Sequence, residues 1–169
     1  MNIANIITLL RILLIPVFIV LLVMDFYYWA TVVFIVLAAS DWLDGYLARK
    51  HNLITNFGKL IDPMADKILV VAALIFLIGK GVDAWMVFLI ITREFVVTTL
   101  RLGAQSQGIT IAASQWGKIK TISQMVAIVV VLLALPYAWE LMLIATVLTV
   151  VSGIDYFWKS RKLFSGKLQ

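Results

Sequence analysis

The sequence predicts an all-α integral membrane protein with six transmembrane helices and both termini in the cytoplasm. Three observations predict it. Of 169 residues, 63% are hydrophobic and 14% are charged, and the mean hydropathy is +1.05. A soluble domain is nearer half apolar and about a quarter charged. The apolar residues collect into six stretches, each close to the roughly 20 residues that a spanning helix needs. The basic residues sit in alternate loops, as they do when one face of the membrane is cytoplasmic. A soluble domain, a disordered tail and a fibrous repeat are excluded. The length allows one membrane-embedded domain, 1–169, with no room for a second catalytic domain outside the bilayer.

The first span, 6–24, is closed by Asp25 to Tyr28. It has no basic residue before Arg11 and no small-residue cleavage site after it, so it reads as a retained helix and not a signal peptide. The second, 29–48, runs into a polar loop from Arg49 to Lys59. The third, 60–79, ends at Gly79-Lys80-Gly81, and the fourth, 84–103, ends in the segment from Gly103 to Gly117. The fifth, 118–135, stops at Pro136, and the sixth, 138–158, leads into a basic tail. Loops two and four and the tail carry Arg49, Lys50, Lys59, Arg101, Lys118, Lys159, Arg161, Lys162 and Lys167. Loops one, three and five carry Lys80 with Asp25, Asp83 and Glu140. The positive-inside rule then places both termini and loops two and four in the cytoplasm. The tail reads as an anchor for the last helix. The six tryptophans fall near span ends and read as an aromatic belt.

Composition also bounds the chemistry. There is no cysteine and a single histidine, His51. Thiolate nucleophiles, disulfides and Cys- or His-rich metal sites are excluded. A bound metal must be held by carboxylates, which favours hard cations such as Mg²⁺, Mn²⁺ or Ca²⁺. In a membrane protein the net charge of +5 speaks to topology and anionic substrates, not to nucleic acid.

Charged residues inside spanning helices are costly and mark function by default. Here they cluster. The second span ends with Asp41 and Asp44, three apart, and the third begins with Asp62 and Asp66, four apart. Each pair shares a helix face. If the two helices run antiparallel, all four carboxylates meet just inside the cytoplasmic boundary. Four such groups do not all stay ionised without compensating charge. Arg49 and Lys67 offset part of it, and Mg²⁺ or Mn²⁺ would offset the rest. Two metals about 4 Å apart suit phosphoryl transfer. Gly45 and Ala48 follow the carboxylates by four residues each, and Gly58 opens the third helix. Small side chains there admit a ligand close to the backbone; the alternative is helix–helix packing.

Asp41, Asp44, Gly45, Ala48, Arg49, Gly58, Asp62 and Asp66 fit the pattern D-x2-D-G-x2-A-R-x8-G-x3-D-x3-D at every fixed position. By that pattern the chain resembles the CDP-alcohol phosphotransferases. Further segments, Asn5 to Arg11, Thr92-Arg93-Glu94, Arg101 and Gly117 to Thr121, resemble the bacterial branch of that family that makes phosphatidylglycerophosphate. The resemblance implies six spanning helices, a homodimer and a site open to the cytoplasm of a bacterial plasma membrane. It implies transfer of a phosphatidyl group from CDP-diacylglycerol to an alcohol, with release of CMP, in phospholipid biosynthesis. It further implies that Asp41, Asp44 and Asp62 hold two Mg²⁺ or Mn²⁺ ions. Asp66 lies at the same metals and acts as the base. Gly45, Ala48, Arg49 and Gly58 then face the CDP moiety, with Asn5 and Thr8 completing that pocket.

The acceptor is read from other residues. Arg93 lies mid-span, Arg101 is eight residues on, and Lys118 and Lys120 begin the fifth span from the same side. Together they make a basic pocket for a phosphate on the acceptor. sn-Glycerol 3-phosphate carries one, whereas free serine and inositol do not. Inositol phosphate also fits, so the flanking resemblance decides for glycerol 3-phosphate. Each basic residue has a structural alternative: Arg93 as the partner of Glu94, and Arg101, Lys118 and Lys120 as positive-inside anchors. Glu94 reads as a residue that orients a cation, and His51 as a solvated loop residue. Competing functions are the same chemistry with inositol phosphate, phosphatidylglycerol or serine as acceptor, a divalent-cation transporter, and a structural membrane subunit. A transporter site belongs nearer the bilayer midplane, without basic neighbours that repel a cation.

Overall fold

In the computed structural model, residues 3–50, 67–106 and 115–164 are described, with side chains over 10–40, 67–105 and 115–158. Six helices occupy them: α1 (Ile3–Val23), α2 (Tyr27–Lys50), α3 (described over Lys67–Phe76), α4 (Ala84–Ser106), α5 (Gln115–Leu132) and α6 (Ala138–Phe164). Among the described residues the β structure is limited to a single bridge between Ile78 and Val82.

The turns follow from local chemistry. α1 ends where Asp25 adopts φ 61°, and the Phe26 N–H donates to the Leu21 carbonyl. Aspartate is among the few residues that tolerate this left-handed conformation. α3 and α4 are joined through Gly79 (φ 81°) and Gly81 (φ 94°), with the Gly79 N–H donating to Val82. α5 stops at Leu132, because Ala134 turns to φ 49° and the Leu135 N–H closes back on Val130. Pro136 follows, and it cannot extend a helix.

These three turns lie at one end of the bundle. Lys80 pairs with Asp25 at 3.0 Å and also donates to the Tyr27 hydroxyl. The indoles of Trp85 and Trp139 both donate to the Asp83 carboxylate, at 3.2 and 3.0 Å. Consecutive helices therefore run antiparallel. The start of α1, the end of α2, the start of α3, the end of α4, the start of α5 and the end of α6 share the opposite end.

All six helices feed one apolar core. On α1, Ile15, Phe18 and Leu22 are buried, and on α2, Ala30, Phe34 and Leu37. These spacings alternate three and four residues, the period of a helix face. Leu69, Ala73 and Leu74 of α3 join Met86 and Ile90 of α4, Ala127, Ile128 and Val131 of α5, and Met142 and Ala145 of α6. α5 is tied to α6 by a buried amide: Gln124 donates to the Thr149 hydroxyl at 2.7 Å.

The outward surface is apolar too. Leu13, Phe88, Phe95, Ile122 and Ile154 are 62–67% exposed. Such a surface suits lipid tails, because exposing that much apolar area to water is unfavourable. Among the described residues, Ala138–Trp158 is the stretch long and apolar enough to cross a membrane by itself, at 21 residues and mean hydropathy 1.7. Leu10–Val23, Tyr27–Ser40 and Lys67–Phe76 are shorter apolar helices. α4 and α5 carry Arg93, Glu94, Arg101, Lys118 and Lys120 along their lengths.

Candidate active site

Of the residues singled out by the sequence, positions 5, 8, 41, 44, 45, 48 and 49 belong to described backbone at the end opposite the Asp25–Lys80 pair. The α2 backbone stays helical through Lys50. Its buried stripe of Ala30, Phe34 and Leu37 continues, in steps of three and four, to positions 41, 44 and 48. By helical spacing alone, positions 41, 44 and 48 fall in register with positions 30, 34 and 37. Asn5 and Thr8 occupy the first turns of α1 at the same end. Position 8 extends the α1 stripe of Arg11, Ile15 and Phe18. Gly58, Asp62, Asp66 and His51 lie outside the described residues, as do the side chains of Asn5, Thr8 and residues 41–50.

The described part of the site is a polar seam through α3, α4, α5 and α6. Glu94 is its centre. One oxygen of its carboxylate accepts both Arg93 Nη1, at 3.0 Å, and Lys120 Nζ. These three side chains are 12%, 7% and 13% exposed for Arg93, Lys120 and Glu94 respectively. Arg93 Nη2 donates to the Ser152 hydroxyl at 2.6 Å, reaching α6. Its Nε is buried with no hydrogen-bond partner among the described residues. Lys67, first described residue of α3, donates to the Thr98 hydroxyl, which in turn donates to the Glu94 carbonyl at 2.7 Å. Among the described residues one carboxylate thus orients two largely buried cations, and the backbone carbonyl of the same residue links through Thr98 to a third. Lys67 directly follows Asp66 in sequence.

Arg101 and Lys118 are placed differently. Both are exposed. Arg101 lies about 12 Å further along α4 than Arg93, and its guanidinium sits over the Tyr156 ring, 5.8 Å from the centroid. Lys118 lies in the first turn of α5. The basic residues therefore divide into a buried pair held by Glu94 and an exposed pair nearer the helix ends.

Sequence reasoning did not single out Ser152, Gly153, Tyr156 or Thr98, and it gave Arg11 no site role. Arg11 is 1% exposed, on the same α1 face as Ile15 and Phe18. The available signal on α6 was the Ser152-Gly153 pair, a small polar break in an apolar run.

The protein-family model for CDP-alcohol phosphatidyltransferase matches residues 1–151. A Bacillus subtilis protein named CDP-diacylglycerol–glycerol-3-phosphate 3-phosphatidyltransferase is 43% identical, over 94% of this chain and 95% of its own length. A Pseudomonas fluorescens protein of the same name is 43% identical over 92% of this chain and 88% of its own. A Mycobacterium tuberculosis protein named probable phosphatidylglycerophosphate synthase is 40% identical over 98% of this chain and 84% of its own. With the eight-position motif and a matched model spanning most of its length, the chain belongs to the CDP-alcohol phosphatidyltransferase family.

Proposed function

We propose that this protein transfers the phosphatidyl group of CDP-diacylglycerol to sn-glycerol 3-phosphate, giving phosphatidylglycerophosphate and CMP. The observation that carries the reading is end-to-end likeness, at 35–43% identity, to proteins named for that reaction. The polar seam is in keeping with it: Arg93 and Lys120, oriented by Glu94, are the kind of cationic donors that an acceptor with a phosphate monoester calls for.

The chemistry proceeds from the chain's own residues. Asp66 accepts the proton of the acceptor hydroxyl as its oxygen attacks the phosphorus bonded to diacylglycerol. The new P–O bond forms as the bond to the CMP oxygen breaks, and the proton passes from Asp66 to solvent. Gly45, Ala48, Arg49 and Gly58, with Asn5 and Thr8, hold the CDP portion. Arg93, Arg101, Lys118 and Lys120 attract and orient the acceptor's phosphate, Glu94 fixing the two buried ones. Positioning of this kind contributes heavily to such a rate.

The donor set of Asp41, Asp44, Asp62 and Asp66 is all oxygen, and the helical register of α2 brings positions 41 and 44 to one stripe. Both features fit two Mg²⁺ or Mn²⁺ ions, which when bound would polarise the pyrophosphate and stabilise departing CMP. Six helices with antiparallel neighbours, an apolar exterior and the basic loops at the site's end support six spans. The termini and the site then face the cytoplasm of a bacterial plasma membrane. A homodimer is part of the same proposal.

The test is CMP release by purified protein with CDP-diacylglycerol and Mg²⁺ across glycerol 3-phosphate, inositol phosphate, serine and phosphatidylglycerol. Release with glycerol 3-phosphate alone, lost in Asp66→Asn, is expected. Release with another acceptor would keep the reaction class and overturn the acceptor. No release from folded protein, with metal uptake into proteoliposomes, would replace the enzyme by a transporter.

A further inference from the structure

α6 is mostly apolar along Ala138–Trp158, and it meets α4 through a short stretch of small and aromatic residues. There Ser152 and Gly153 are buried, and Tyr156 is 2% exposed. Ser152 accepts Arg93 Nη2 at 2.6 Å. A Cβ at Gly153 would stand 3.0 Å from Arg93 Cγ, a distance that forces the arginine stem to shift. The stem has little room to do so, because its head is held by Glu94 and Ser152. Three residues beyond Gly153, the Tyr156 ring lies under the Arg101 guanidinium.

The spacing is informative. Arg93 and Arg101 leave α4 about 12 Å apart along its axis. Their contacts on α6 run only from Ser152 to Tyr156, about 6 Å of rise. Both arginines therefore lean on the same turn of α6. Guanidinium forks suit the oxygens of a phosphate monoester.

We propose that this turn, Ser152 to Tyr156, is the positioning wall of the acceptor's phosphate site. Gly153 and Ser152 set Arg93, and the Tyr156 ring sets Arg101. They act through the arginines, which touch the acceptor. The proposal rests on the reading of Arg93 and Arg101 as acceptor ligands. The ring carries the role of Tyr156, because its hydroxyl is buried with no hydrogen-bond partner among the described residues.

The experiment measures KM for glycerol 3-phosphate and for CDP-diacylglycerol, and kcat, on purified Tyr156→Leu, Tyr156→Phe and Gly153→Ala. Loss of the ring in Tyr156→Leu raises the acceptor KM roughly tenfold, and the donor KM stays near its original value. Tyr156→Phe restores most of the loss. Gly153→Ala raises the acceptor KM in the same selective way. Unchanged acceptor KM in both Tyr156→Leu and Gly153→Ala would overturn the proposal. So would parallel rises in both KM values, or a Tyr156→Phe as impaired as Tyr156→Leu. If Gly153→Ala does not fold, the tyrosine pair still decides. Failure of the underlying function is distinct: the unmutated protein would then release CMP with no dependence on glycerol 3-phosphate.

Discussion

Glu94 is where single-residue chemistry matters most in the described site. Among the described residues it is the carboxylate that binds both Arg93 and Lys120 directly, with Lys67 nearby. Removing one partner of a buried ionic group leaves the others uncompensated. Glu94→Gln is therefore expected to destabilise the protein by about 3 kcal/mol or more, read as thermal unfolding in detergent. It should also raise the KM for glycerol 3-phosphate, because Arg93 and Lys120 lose their common anchor. A change within about 0.5 kcal/mol, the range of an ordinary surface substitution, would contradict this account of the seam. The sequence exposed Arg93 and Glu94 readily, since charge in an apolar run is a strong signal. It gave far less notice of Ser152, Gly153 and Tyr156, which carry no charge. Their role depends on which helix lies opposite, and periodicity along one helix does not reveal that.

Between elements, the turns at the outer end set the register of the helices. Asp25 is held below the usual carboxylate range, first by its hydrogen bond from Tyr27 and then by Lys80. Lys80 is raised above its ordinary value, first through Tyr27 and then through Asp25. The signs agree. The Asp25 contribution is present above its unfolded value and is lost as pH falls through the lower folded one. The Lys80 contribution is present below its unfolded value and is lost as pH rises through the higher folded one. The contact between the two turns thus persists from mildly acidic to mildly alkaline pH. Carboxyl NMR titration in micelles should place Asp25 below a free aspartate, and Lys80→Ala should move it part of the way back. A free-aspartate value in the unmutated protein would mean that the contact does not form. Helix positions were largely legible from apolar runs: the predicted 84–103 and 138–158 open where α4 and α6 do. The ends were less so. The fifth run continues apolar to 135, yet α5 stops at Leu132, because the left-handed residue at Ala134 ends it and hydropathy does not register backbone sign. α6 continues past 158 to Phe164, since lysine and arginine are good helix formers at an interface.

For the whole molecule, alternating direction puts the end of the motif helix, the start of α3, the end of α4 and the start of α5 at one end. The chain contains no cysteine, so single cysteines report topology without background. Lys80→Cys should react with an impermeant maleimide in intact cells, and Lys118→Cys only after the membrane is opened. The reverse pattern would invert the orientation and put the site on the wrong side for its nucleotide donor. The motif was legible in sequence because charge at helical spacing stands out in an apolar run and because the whole pattern resembles a known family. The meeting of Glu94 with Lys120 across 26 residues was not, because it depends on tertiary packing. The central claim is phosphatidyl transfer to glycerol 3-phosphate, and product identity tests it most directly. Purified protein in mixed micelles would receive CDP-diacylglycerol, Mg²⁺ and radiolabelled glycerol 3-phosphate, and lipid-phase label would be counted against CMP. The account predicts one label in phosphatidylglycerophosphate per CMP released, with both lost in Asp66→Asn. CMP release without label in the lipid would contradict it.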